Sequence, residues 1–211
     1  MAHALSLVGE RWSLLIVRDL LQGPKRYTDL AQGLPGIGTN ILAARLRDLE
    51  QVGVVQKRRL PPPAASTVYE LTEYGEELKE ALYALARWGA RTLGPPRPDD
   101  ELYPEWGMNG FPALFNAEHA RGLTETYVLD VGGDVFTAKI VDGSLAVSMG
   151  AADGADLVVE VDMDTFFALA GGELELQEAV AQGCARAEGT PEALDHCFQV
   201  LSLAPRAGVP A

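Results

Sequence analysis

Between residues 4 and 21 the chain reads ALSLVGERWSLLIVRDLL, with apolar side chains at 5, 8, 12, 15, 16 and 20. That spacing predicts one amphipathic helix, stopped by Gly23-Pro24. KRY (25–27) suits a short strand, and Thr28 can cap a brief helix over 29–33. GLPGIG (33–38) turns the chain. The next helix is predicted from about Thr39 to Gln51, with Ile41, Leu42, Leu46 and Leu49 inward and Gly53 closing it. Thr39, Asn40, Ala43, Ala44 and Arg47 then face outward, with Arg45 at the edge of the apolar stripe. VVQKRRL (54–60) and TVYELT (67–72) alternate as the two strands of a hairpin, joined by PPPAAS (61–66). EYGEELKEALYALARWGARTL (73–93) predicts a helix capped by Thr72, with Leu78, Leu82, Leu85 and Trp88 on one face.

The second half has a different rhythm. LTETYVLDVGGDVFTAKIVDGSLAVSMG (123–150) is three alternating runs separated by two tight turns. Asp142-Gly143 is a strong signal for a hairpin turn with both central residues at positive φ. DLVVEVD (156–162) adds a fourth strand and CARAEG (184–189) a fifth. MDTFFALAGG (163–172) and LELQEAVAQG (174–183) read as two short helices with glycine stops. Thr190-Pro191 opens a last helix with cap and first-turn proline in their expected places. Ahead of the strands, PEWGMNGFPALF (104–115) is helical in part, and Asn116 can cap a turn. The predicted class is α+β, with an N-terminal winged helix-turn-helix and a C-terminal antiparallel sheet covered by helices on one face.

Composition divides the chain at the same place. The net charge of −13 splits into +2 over residues 1–94 and −15 over 95–211. Between the halves, GPPRPDD (94–100) reads as a stiff, extended linker. The expected organisation is a first domain over 1–93, a linker over 94–104, and a second domain over 105–211. The acid is thus concentrated away from the basic half, and screening over about 8 Å at physiological salt limits its reach.

The first half has what a groove-reading domain needs. A recognition helix enters the major groove with short side chains near its N-terminus and a few Thr, Asn or Arg to meet base edges and phosphates. A wing lays cations along the backbone, here Lys57, Arg58 and Arg59. Taken singly, KRR is equally a solvated strand face; the helix, turn and basic hairpin together favour DNA. The segments GERWSLLIVRDLL, GPKRYTDL, LPGI and LAARLRDLEQVGVV, in that order, closely resemble the HxlR family of bacterial winged-helix regulators over residues 4–91. The resemblance implies a homodimer on a two-fold symmetric double-stranded DNA operator. It implies DNA contact by Thr39, Asn40, Ala43, Arg45 and Arg47, by the wing residues Arg58 and Arg59, and by Lys25, Arg26 and Tyr27 ahead of the first helix-turn-helix helix. It implies a dimer face built from Leu5, Val8, Trp12, Leu78, Leu82, Leu85 and Trp88. Two departures stand out. Gly38 occupies a position where the family usually has a capping serine, a loss of a few tenths of a kcal/mol at most. The cysteine that many members carry before the first helix is replaced by the stretch MAHALSL, so no thiol switch is expected there.

The order of elements over residues 120–203 resembles the sterol-carrier-protein type 2 family, more loosely, through its run of hairpin, strand, helix pair, CARAEG strand and final helix. That resemblance implies an apolar tunnel between sheet and helices for a hydrophobic small molecule. Its lining would be Phe115, Tyr127, Phe136, Ile140, Met149, Phe166, Phe167, Leu174, Phe198 and Leu201. Each of these residues, taken singly, is more often plain core than ligand wall.

Enzyme chemistry finds little support. GxSxG, P-loop, strand-linked GxGxxG and HExxH patterns are missing. His3, His119 and His196 lie far apart, and His196-Cys197 sits on a helix where neighbours diverge, so neither metal nor cofactor is expected. Cys184 and Cys197 form no CxxC and suit reduced thiols. With no signal peptide and no apolar run of about eighteen residues, a cytoplasmic, membrane-free protein is expected. The resulting expectation is a DNA-binding transcriptional regulator, not an enzyme, whose C-terminal domain binds a hydrophobic ligand and modulates DNA affinity. Two alternatives remain open: a C-terminal domain that is only scaffold or dimerisation module, and a lipid carrier with a vestigial helix-turn-helix.

Overall fold

In the computed structural model, which describes residues 1–63, 65–90, 106–170 and 173–201, the first apolar stretch forms two helices rather than one, α1 (Ala2–Val8) and α2 (Arg11–Leu20). Glu10 is extended, with φ −69° and ψ 134°. Gly9, a poor helix former, closes α1 with its N–H on the Leu5 carbonyl at 2.8 Å. Helical spacing continues across the break because both segments face one core, so the pattern did not disclose it. The expected strand at KRY reduces to one bridging residue, Lys25, paired with Tyr69. Helix α3 (Tyr27–Gly33) starts earlier than expected. The Asp29 carboxylate closes its first turn by accepting the Arg26 N–H at 3.0 Å, which leaves Thr28 inside the helix rather than at its cap.

Helix α4 (Thr39–Gln51) begins at Gly38 with no side-chain cap, and Gly53 follows it at φ +75°. Leu42, Leu46 and Leu49 are buried as expected, but Ile41 is 47% exposed. One residue along a helix is a rotation of about 100°, which takes Ile41 off the leucine stripe. Strands β1 (Val55–Arg59) and β2 (Thr67–Leu71) form the expected antiparallel hairpin, with Lys57 opposite Tyr69. The helix expected over 73–93 is interrupted at Glu77, giving α5 (Glu73–Glu76) and α6 (Leu78–Ala90). The Thr72 hydroxyl accepts the Gly75 N–H at 3.0 Å and so caps α5. Gly75 lies so close to the Val54 carbonyl that any side chain there would collide with it, which ties this turn to the hairpin. Ile16, Val17, Leu20, Leu30 and Leu34 join the α4 leucines, Val54, Val55 and Leu71 in one core. Each large side chain in it contributes roughly 1.5–3 kcal/mol through burial.

The chain divides into two compact units, Met1–Leu82 and Tyr83–Ala211, with the boundary inside α6. The expected linker 94–104 lies outside the described residues. In the second unit, helix α7 (Trp106–Leu114) precedes strands β3 (Thr124–Val131), β4 (Asp134–Val141), β5 (Ser144–Met149) and β6 (Leu157–Val161). Helices α8 (Met163–Ala170) and α9 (Leu176–Gln182), strand β7 (Ala185–Gly189) and helix α10 (Pro191–Val200) complete it. The strand order is β5-β4-β3-β6-β7.

The sheet is mixed, not antiparallel: β3 and β6 pair in parallel, with Tyr127 opposite Leu157 and Val131 opposite Val161. Residues 150–156 carry the chain from β5 across to the far side of β3. A parallel pair needs such a crossover, and strand periodicity carries no sign of direction. The β4–β5 turn has Asp142 at φ 42° and Gly143 at φ 78°, as its dipeptide implied. Asn116 accepts the Glu118 N–H at 3.1 Å, and the Thr190 hydroxyl caps α10 through the Ala193 N–H at 3.1 Å. Tyr127, Leu129 and Val131 of β3 share the sheet face of Phe136, Ala138 and Ile140 of β4 and Leu157, Val159 and Val161 of β6. That face is the second core. A Cβ at Gly107 would lie 2.6 Å from the Phe136 ring, so α7 packs directly on the sheet. No helix among the described residues is long and apolar enough to cross a membrane.

Candidate nucleic-acid interface and apolar cavity

Helix α4 leaves Thr39, Asn40 and Arg47 exposed, with Ala43, Ala44 and Arg45 half-buried. Its first turn therefore presents short side chains to solvent, and Gly38 leaves N–H groups there without a side-chain cap. Tyr27 has a positioning role in this arrangement. Its hydroxyl donates to the Thr39 carbonyl at 2.7 Å, fastening the start of α4 to α3.

The cations differ in how free they are. The Arg47 Nε donates to the Ala43 carbonyl one turn back at 3.2 Å, which steadies the side chain without neutralising it. The Lys25 ammonium donates to the neutral Gln22 amide oxygen at 3.2 Å, and among the described residues it has no ion pair. Arg45, by contrast, pairs with Asp48 at 3.3 Å. On the hairpin, Arg58 is held by Glu70 at 2.7 Å. Lys57 is held by Glu50 at 2.8 Å and lies 5.2 Å from the Tyr69 ring centre. The Glu50 hydrogen bond raises the Lys57 pKa above its ordinary value. Arg26 and Arg59 have no carboxylate within ion-pair distance among the described residues.

This inequality separates two wing residues that sequence treats alike. Replacing Arg59 with Ala is expected to lower the magnitude of the log-affinity versus log-salt slope by about one. Arg58→Ala is expected to change the slope by less, because Glu70 already neutralises that guanidinium. Titrations of both variants at several salt concentrations read the difference directly.

The residues assigned to a dimer face fall into two groups. Leu5, Leu85 and Trp88 are 55%, 50% and 68% exposed. Val8 is buried, and Trp12, Leu78 and Leu82 are half-buried against the first core. This second group packs on the chain's own core, and Trp12, Leu78 and Leu82 keep part of their surface exposed.

In the second unit an apolar cavity of about 80 Å³ is bounded by strand residues Leu129, Val131, Val159 and Val161 and by Phe111, Leu114, Phe166, Leu169, Leu176, Cys197, Phe198 and Leu201. Phe166, Phe198 and Leu201 were expected there. Tyr127, Phe136 and Ile140 are fully buried core instead. Phe115 and Leu174 pack on that core, Phe167 leans edge-on to Phe166 at 5.8 Å, and Met149 is 50% exposed on edge strand β5. The signal for the remaining wall was the alternation of the paired strands β3 and β6, whose inward valines and leucine are smaller and leave space.

Beside the cavity, the Tyr127 hydroxyl donates to Glu125, and the other Glu125 oxygen meets His196 Nδ1 at 2.7 Å. Burial, then the Glu125 contact, raises the Tyr127 pKa, so its hydroxyl stays protonated. Burial pushes the Cys197 thiol up to about 12, with the Glu125 charge adding to it. Cys197 is therefore a neutral wall residue. Cys184 is exposed. Among the described residues no group of three or more His, Cys, Asp or Glu could hold a metal ion.

Residues 7–96 match the family described as HxlR-like helix-turn-helix. The HTH-type transcriptional regulator YodB of Bacillus subtilis is 36% identical over 95 residues, covering 45% of this chain and 85% of YodB. The uncharacterized HTH-type transcriptional regulator Rv3095 of Mycobacterium tuberculosis is 34% identical over 142 residues, 65% of this chain and 88% of its own length. That longer match extends beyond the helix-turn-helix segment. Among solved structures, the reduced form of YodB is 35% identical, covers 46% of this chain and 95% of that one, and has a TM-score of 0.41.

Proposed function

We propose that this chain, which belongs to the HxlR-like helix-turn-helix family, binds a two-fold symmetric operator as a homodimer and adjusts its grip according to a hydrophobic molecule held in the C-terminal unit. At the coarser level it is a DNA-binding transcriptional regulator, not an enzyme. The observation that supports the DNA-reading part is the solvent face of α4, where Thr39 and Asn40 in the first turn and Arg47 two turns on stand clear of the core. The two recognition helices of a dimer would enter successive major grooves about 34 Å apart. Arg26 and Arg59 would meet phosphates. Arg45, Arg58 and Lys57, already paired, would contribute less unless they exchange partners. The reading keeps residues 1–93 as the DNA-binding and dimerisation domain, 94–104 as linker and 105–211 as the ligand domain, in a cytoplasmic protein.

Support for a ligand role comes from the apolar cavity between β3, β6 and the helices, and from the sterol-carrier-like order of elements. Regulation then requires the ligand to bind the DNA-competent and incompetent states with different affinity. A second reading, in which the C-terminal unit is scaffold, is favoured by the modest cavity of about 80 Å³.

The test begins by selecting bound duplexes from a randomised library with the full-length chain. Arg47→Ala is expected to cost about 1–3 kcal/mol on the selected sequence and little on unrelated DNA. An unchanged affinity would remove α4 from the interface.

A further inference from the structure

Ile41 is the large apolar side chain of α4 that folding does not use. It is 47% exposed and lies outside the set of side chains packed against the first core, which does include Ile37 four residues earlier. Helix physics gives no reason for it either, since a β-branched residue loses rotamer freedom in a helix and is a weaker former than Ala, Lys or Glu. Its neighbours one turn on are Ala44, a small side chain, and Arg45, whose guanidinium is turned to Asp48 at 3.3 Å. Gly38, one turn back, has no side chain, and a Cβ built there would come only to 3.9 Å from Ile41. The side chain therefore projects from a shallow surface on the first turn of α4, beside exposed Thr39 and Asn40.

The first turn is the part of a recognition helix that meets base edges. The major-groove edge of a base pair carries one apolar group, the 5-methyl of thymine, and apolar side chains read it by contact. Asn40 can offer hydrogen bonds in that groove, but it cannot reward a methyl. We infer that Ile41 contacts a thymine methyl in each half-site, and is a specificity-determining residue that sequence periodicity assigns wrongly to the core. The inference rests on α4 being the recognition helix. It adds a preference set by dispersion and dehydration, so it does not depend on salt, unlike the contribution of Arg59.

The test uses duplexes selected from a randomised library by the full-length chain. Each thymine of the selected sequence is then replaced in turn by deoxyuridine, which keeps the hydrogen-bonding groups and removes the methyl. One position per half-site is expected to weaken wild-type binding about fourfold, the effect of uncovering one methyl-sized apolar contact. The same replacement should leave Ile41→Ala unchanged, and that variant, which loses the contact in both half-sites, should bind the thymine duplex about as weakly as wild type binds a duplex with deoxyuridine at the sensitive position of both half-sites. Ile41→Val should retain part of the discrimination. If the deoxyuridine penalty is equal in wild type and Ile41→Ala, or no thymine matters, the inference fails while the Arg47→Ala loss still upholds α4 as the reading helix. A selection that enriches no sequence, with Arg47→Ala silent, would take down both. An altered oligomeric mass for Ile41→Ala would assign the side chain to a protein contact and overturn the inference as well.

Discussion

Aspartate in place of both Leu85 and Trp88 is expected to leave the chain folded, halve its mass in solution and weaken binding to the selected duplex at least about a hundredfold. The reasoning starts from α6. Leu78 and Leu82 pack against the first core, while Leu85 and Trp88, further along the same helix, are 50% and 68% exposed. None of the α6 residues is fully buried in the chain, so charge at the two exposed positions has little of the chain's own packing to disturb. In a dimer those side chains would be covered, and unpaired carboxylates in an apolar interface are strongly disfavoured. A monomer holds one half-site and loses the linked second contact, which accounts for the size of the drop. Sedimentation measures the mass, circular dichroism the fold, and titration the affinity. A double variant that stays dimeric would move the interface off α6.

Phe136→Ala should lower the stability of the C-terminal unit by about 3–5 kcal/mol. Phe136 is fully buried, meets Phe111 edge-to-face at 5.4 Å between ring centres, and lies under Gly107 where α7 reaches the sheet. Truncation would leave a ring-sized void that tightly packed neighbours fill only in part. The two cores share no residue, so calorimetry should show one transition shifted down by roughly 10–20 °C and another close to its original place. Operator binding, measured below the lower transition, should persist. A single transition that moves as a whole would mean that the units unfold together.

The N-terminal unit was legible because its signals are local. The hairpin needed only alternation and a loop, α4 needed three leucines at helical spacing with Gly53 behind them, and Thr72 capped where a capping residue stands. The C-terminal turn at Asp142-Gly143 and the Thr190-Pro191 helix start were local in the same sense. The expectation failed wherever a neighbour distant in sequence decides. Gly9-Glu10 and Glu77 break helices whose apolar rhythm continues unchanged. Ile41 matched the inward pattern closely enough to be counted as core, although only Leu42, Leu46 and Leu49 of α4 are buried. The sterol-carrier resemblance put Tyr127, Phe136 and Ile140 in the cavity wall, yet they are the packed centre, and the wall includes smaller residues on β3 and β6.

Residue identity also could not show which cations are free. Arg58 and Arg59 are adjacent and chemically identical, but Arg58 faces Glu70 across the hairpin and Arg59 faces no carboxylate among the described residues. By itself the sequence determined the element types, the helix-turn-helix order, the charge division between the halves and the residues that could read DNA, because each depends on short-range periodicity, capping and composition. The tertiary structure alone decided the parallel pairing of β3 with β6, the exposure of Ile41, Leu85 and Trp88, the cavity wall and the paired state of each cation. Those depend on which surfaces meet across long stretches of chain, where burial and Coulomb interaction act between residues that no local pattern connects.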